Sequence, residues 1–135
     1  MSVNHYKAIF ISPHLDDAVL SAGNQLRSYT NQGKSALVVT VFTRGTPRLH
    51  PAAQSFLHQS GFADAQSMFS SRKKEDSTAV KILGAKHLHL PFIDAGFRAD
   101  HPTTNHIFKS SFTKSDRRIT SQVSHRLLEV MKKHA

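Results

Sequence analysis

The sequence predicts an α/β fold, a three-layer α/β/α sandwich around a mainly parallel, Rossmann-like sheet. Three observations predict it. Apolar β-branched runs alternate with segments of helical periodicity, in the order strand, helix, strand, helix, strand, helix. The run at 35–42 (SALVVTVF) is almost continuously apolar, as a strand covered on both faces must be. Gly33 and Gly84 stand just past two of the helical patterns, where a left-handed cap is wanted. Parallel strands joined by helical crossovers of one hand give the layered sandwich.

Each element has its own signal. Residues 7–12 (KAIFIS) form a short apolar run that stops at Pro13, a strand. Residues 17–32 carry Val19, Ala22, Leu26 and Tyr29 on one helical face. Residues 44–60 contain Gly45, Pro47 and Pro51 and read as a long loop. A helix is expected over 62–83, with Ala65, Met68, Phe69, Ala79, Ile82 and Leu83 apolar. Residues 87–90 (HLHL) are a short strand, and Pro91 argues against its continuation. Residues 94–114 are rich in turn formers and read as a loop. Ser115 is placed to cap a last helix over 116–133, whose apolar face holds Ile119, Val123, Leu127, Val130 and Met131. Three parallel strands are few for two covered faces. The 135 residues are therefore expected to form a single domain that is the N-terminal portion of a larger one.

Composition narrows the function. No apolar run approaches the roughly 20 residues that cross a bilayer, and residues 1–12 lack the features of a secretory signal. The chain has no cysteine, which removes disulfides and thiolate metal sites and is compatible with the cytoplasm. Eighteen Lys and Arg against nine Asp and Glu give a net charge of +9, which attracts anions. The cations are spread along the chain, however, and no nucleic-acid recognition motif accompanies them. The glycine patterns that cradle phosphates are also missing.

The chemistry concentrates in Ser12-Pro13-His14-Leu15-Asp16-Asp17, where the first strand meets the first helix. Ligands bind outside the carboxyl ends of strands in open α/β sheets. A helix beginning within this loop would bring His14 and Asp17, three residues apart, to one face. Nitrogen and oxygen donors suit Zn²⁺. Asp16 would point elsewhere, free to act as a base. The same residues allow a plainer reading, with Asp16 or Asp17 capping the helix and His14 an ordinary turn residue.

Residues 12–23 (SPHLDDAVLSAG) resemble the first signature of the N-acetylglucosaminyl-phosphatidylinositol deacetylase-like, or LmbE-like, family. Residues 35–43 resemble that family's second strand. Arg72-Lys-Lys-Glu75-Asp76 with Leu83-Gly84 resembles its Arg-x-x-Glu helix, and residues 87–94 (HLHLPFID) resemble the next strand and its acidic loop. The resemblance implies a zinc-dependent N-deacetylase acting on an N-acetylated amino sugar or glycoconjugate. His14 and Asp17 would be metal ligands, with Fe²⁺ or another divalent ion an alternative to zinc. Asp16 would be the general base, Arg72 would contact substrate and Asp94 would line the pocket. For Arg72 the plainer reading is a solvated charge paired with Glu75 or Asp76, and for Asp94 a turn residue.

The family draws a third ligand from a later His-x-x-His motif, and this sequence has no two histidines three apart. A fragmentary chain, a second subunit, or His101 or His106 swinging in would each resolve this. The alternatives to an enzyme are a non-catalytic remnant or binding module of the same fold, and a basic nucleotide- or nucleic-acid-binding module. Oligomeric state is left open by the sequence.

Overall fold

A computed structural model describes residues 4–108 and 112–134. The strands β1 (Ala8–His14), β2 (Ala36–Arg44) and β3 (Lys86–Ile93) form one parallel sheet in the order β1-β2-β3. The helices are α1 (Asp17–Asn31), α2 (Pro51–Ser60), α3 (Ala65–Ile82), α4 (Thr104–Ile107) and α5 (Lys114–His134), with a 3-10 turn at Ala95–Phe97.

The alternation of side chains along β2 builds the layers. Ala36 and Val38 pack with Leu26 of α1 and Val80 of α3 on one face. Leu37 and Val39 pack with Leu90 and with Val130 of α5 on the other. The central strand is buried on both sides, which explains its unbroken apolar run. A third cluster, with Leu15, Leu57, Met68, Phe69 and Phe97, closes the carboxyl end of the sheet.

Several expectations are corrected, and the first strand runs on through Pro13 to His14. The segment at 44–60 is not all loop, because it contains α2. Pro51 opens that helix where its missing N–H costs nothing, the His50 side chain accepts from the Ala53 N–H, and Gly61 closes it at φ 73°. The third strand continues through Pro91. β3 lies at an edge of the described sheet, where proline is tolerated. The register slips between Thr40 and Phe42 of β2, and the Thr43 hydroxyl donates to the Leu90 carbonyl at 2.8 Å. The last helix is capped by Thr113 rather than Ser115. Its hydroxyl accepts from the Asp116 N–H at 3.0 Å, and the Asp116 carboxylate accepts from the Thr113 N–H at 2.9 Å. That reciprocal pair is a capping box. The expected loop over 94–114 holds the 3-10 turn and α4, and its residues 109–111 lie outside the described residues.

Candidate metal centre at the carboxyl end of the sheet

The turn from β1 into α1 frees its acids from capping. The buried Ser12 hydroxyl accepts from the Ala18 N–H at 3.0 Å and donates to the His14 carbonyl at 2.7 Å. Ser12 thereby satisfies an N–H that an Asp side chain would otherwise take. Asp16 is the N-cap residue yet makes no side-chain cap bond. Its backbone is left-handed (φ 74°), a conformation that Asp adopts more readily than most residues.

That turn brings His14 and Asp17 together. His14 is the last residue of β1 and Asp17 the first of α1, so their approach comes from the reversal between them rather than from helical spacing. Asp17 Oδ2 accepts from the His14 N–H at 3.0 Å and lies 3.1 Å from His14 Nδ1. Both side chains are close to half exposed, which leaves the pair open to solvent.

Asp94 reaches the same imidazole from beyond β3. Its N–H donates to the Arg44 carbonyl at 2.9 Å, and its Oδ1 accepts from the Gly96 N–H at 2.9 Å. The second oxygen lies 3.5 Å from His14 Nε2. Asp17 and Asp94 thus bracket the ring, one at each nitrogen.

Asp16 and Arg72 meet on the other side of the turn, with Nη2 3.7 Å from Oδ2. Arg72 therefore faces Asp16, not Glu75 or Asp76 as the plainer sequence reading had it. Behind them, Asp76 is 1% exposed. One of its oxygens accepts from the Asp16 N–H at 3.0 Å, and the other lies 2.7 Å from His89 Nε2. Burial pushes the Asp76 carboxyl up, but the His89 and Asp16 hydrogen bonds outweigh it and hold the group below its ordinary value. Asp16 moves the other way. Burial and the neighbouring Asp76 charge raise its carboxyl, partly offset by Arg72.

Asp76 and His89 were missed as site residues in the sequence. A signal was present: Asp76 lies seven residues after Phe69 and four before Val80, on the buried stripe of α3. A carboxylate on an apolar stripe needs a buried partner.

His101 does not join His14. Its Nε2 lies 3.0 Å from Asp116 and 3.7 Å from Asp100, and its Nδ1 lies 3.2 Å from the His106 carbonyl. Asp100, His101 and Asp116 bring three donor atoms within 4.8 Å of one another, and no other trio among the described residues does so. Those donors are already engaged. Arg98 Nη2 sits 2.8 Å from the same Asp116 oxygen that faces His101, and the other oxygen takes the Thr113 N–H. A guanidinium against a donor oxygen repels a cation, so this group reads as an ion-paired knot that fixes the start of α5.

The residues at His14 fit a divalent cation in their chemistry. They are one imidazole and two carboxylates, and among the described residues no Lys or Arg is paired with Asp17 or Asp94. A carboxylate on the second nitrogen of a ligating histidine is also the usual way such a ring is oriented.

A cavity of about 680 Å³ opens between the end of β2 and α3. Pro47, Leu49 and the buried Phe69 give it an apolar lining, and Arg44, Lys73 and Asp64 supply charge.

The chain has matches among protein families and solved structures. The sequence profile of the family described as PIG-L: GlcNAc-PI de-N-acetylase matches residues 9–134. A structure described as "Crystal structure of deacetylase-bog complex in biosynthesis pathway of teicoplanin" is 32% identical with a TM-score of 0.80, over 93% of this chain and 50% of its own. The corresponding teicoplanin complex is 30% identical with a TM-score of 0.79, over 93% and 53%. The zinc inhibited form of teicoplanin deacetylase is 29% identical with a TM-score of 0.76, over 93% and 51%. The chain spans about half the length of these structures. No curated protein matches it.

Proposed function

Because the chain belongs to the PIG-L family of GlcNAc-PI de-N-acetylases, we propose that it carries one side of an N-deacetylase active site for an N-acetylated amino sugar or glycoconjugate. The observation that carries the reading is the apposition of His14 and Asp17 at the mouth of the sheet, at 3.1 Å, with Asp16 beside them free of any capping duty.

In this reading His14 and Asp17 hold a divalent cation, zinc in the first instance. When bound, that cation supplies Lewis acidity towards the amide carbonyl and the attacking water. Asp94 orients the His14 ring from its far nitrogen. Asp16 takes the proton from water as the oxygen attacks the amide carbon. It then returns that proton to the nitrogen as the C–N bond breaks, leaving acetate and the free amine. Its raised carboxyl suits a group that must both accept and give a proton. Arg72, 3.7 Å from Asp16, would hold a substrate hydroxyl beside the base.

A catalytic zinc site takes three protein ligands. The reading assigns the third donor to a segment or subunit outside these 135 residues, which fits a chain that spans half of its structural relatives. No helix among the described residues is long and apolar enough to cross a membrane, and a cytoplasmic location goes with this reading. The missing donor also favours a second reading, a non-catalytic module of the same fold.

Metal analysis combined with an acetate-release assay on N-acetylglucosamine conjugates separates the two. The enzyme reading expects bound zinc, acetate release, and a loss of roughly 10²-fold or more in rate for Asp16→Asn with metal retained. Zinc bound without acetate release from any conjugate leaves the binding module.

A further inference from the structure

We propose that His89 is a positioning residue of the metal centre: through Asp76 it holds the turn carrying His14, Asp16 and Asp17 in the shape that binds a cation. The proposal rests on the metal reading of His14 and Asp17, but on a separate set of buried hydrogen bonds for the tie itself.

A polar row crosses the sheet where β1 approaches that turn. Ser12 of β1 stands beside Thr40 of β2, and Thr40 stands beside His89 of β3. Side chains alternate along a strand, so Thr40 shares the face of Val38, which packs against α1 and α3. Asp76 meets the same face from α3, one helical turn before Val80. Ser12, Thr40 and Asp76 are each at most 1% exposed.

Two of these buried side chains hold the turn. Ser12 Oγ accepts the Ala18 N–H at 3.0 Å and donates to the His14 carbonyl at 2.7 Å. Asp76 accepts the Asp16 N–H at 3.0 Å. Asp16 therefore spends no oxygen on a cap bond, and the Asp17 carboxylate is left to His14.

Ser12 belongs to the strand that enters the turn, whereas Asp76 must be steadied from elsewhere. A buried carboxylate oxygen without a partner is costly. The second Asp76 oxygen meets His89 Nε2 at 2.7 Å, with the imidazole itself 13% exposed. A short charge-assisted bond in so dry a setting fixes the direction in which the carboxylate points. Its neighbours in the row do not take this part. The Thr40 hydroxyl has no hydrogen-bond partner, and His87, the other histidine on this side of β3, turns its Nε2 to Ser77 Oγ at 3.2 Å. The link from β3 to the turn thus runs from His89 through Asp76 to Asp16.

Amide hydrogen exchange of the 135-residue chain, read by NMR at Asp16 with Val38 and Val39 as controls for the fold, tests the tie without metal. Competition with a chromophoric chelator reads zinc affinity alongside. In wild type the Asp16 amide should exchange slowly, and fast exchange there overturns the proposal before any variant is made. His89→Asn, whose amide stands where Nδ1 does and falls short of Asp76, should speed Asp16 exchange roughly fivefold or more with Val38 and Val39 unchanged. It should also weaken zinc binding roughly tenfold or more, as loss of a group that orients metal ligands does. His89→Gln, whose amide reaches where Nε2 does, should restore most of both, and His87→Asn should cause neither change. Asp16 exchange untouched by His89→Asn, Val38 and Val39 speeded as much as Asp16, no recovery with His89→Gln, an equal effect of His87→Asn, or faster exchange with zinc affinity unaltered would each overturn the proposal. A wild-type chain that binds no zinc sinks the metal reading instead, and the exchange rates still decide whether His89 holds the turn.

Discussion

The buried carboxylate of Asp76 accepts the backbone N–H of Asp16 at 3.0 Å, sixty residues away in sequence, and so pins the left-handed turn that separates Asp16 from Asp17. Its second oxygen is held by His89 at 2.7 Å. One carboxylate thus ties α3 and β3 to the loop bearing the candidate metal ligands.

Asp76→Ala would strand a partly buried imidazole and a backbone N–H together. Breaking a buried pair from one side costs about 3 kcal/mol or more. Asp76→Asn keeps an oxygen for the N–H and an amide for His89, and should cost clearly less. Chemical denaturation of the two variants checks the order, and equal stabilities would contradict the tie.

Zinc affinity should separate ligand from orienting residue. His14→Ala and Asp17→Ala are expected to reduce it well beyond tenfold. Asp94→Asn, acting through the imidazole, should reduce it by roughly 10- to 100-fold at most. Competition with a chromophoric chelator measures all three, and a larger loss for Asp94→Asn than for Asp17→Ala would reverse the assignment.

Acid stability should report on Asp116. Burial pushes its carboxyl up, but the Thr113 and His101 hydrogen bonds prevail and set it at about 2, below its unfolded value of 3.8. A depressed carboxyl stabilises the fold above the unfolded value, and that contribution is lost as pH falls through the folded one. Wild type should therefore lose stability between about pH 4 and pH 2. Asp116→Asn should be less stable at neutral pH and show a flatter acid limb. Thermal melts across that window provide the measurement, and parallel curves would contradict it.

Gly45→Ala places a methyl group 2.7 Å from the Ala65 Cβ and 3.0 Å from the rings of Phe69 and Phe97. Overpacking of this kind costs about 1–3 kcal/mol. A melting temperature equal to that of wild type would show that the strand end can move away from α3.

Much of the fold was legible because periodicity reports burial. The continuous run of β2 reflects Val38 and Val39 packed on opposite faces, and Gly33 and Gly84 mark helix ends at positive φ. The helix α2 was hidden because Pro51 signals a turn as readily as a helix start. Only the His50 cap and Gly61 tell them apart, and both depend on backbone geometry. Pro91 misled for a similar reason, since whether a strand lies at an edge is set by its neighbours and not by its own residues. At the site, His14, Asp16 and Asp17 could be read locally because they share one turn. Asp76 and His89 could not, since their pairing with Asp16 is fixed by how α3 lies against the sheet.

Anomalous diffraction at the zinc edge, from crystals of this chain grown with zinc, is the most direct test of the central claim. The account predicts a peak within bonding distance of a His14 ring nitrogen and an Asp17 oxygen. A peak only among Asp100, His101 and Asp116, or density at His14 with no metal, would contradict it.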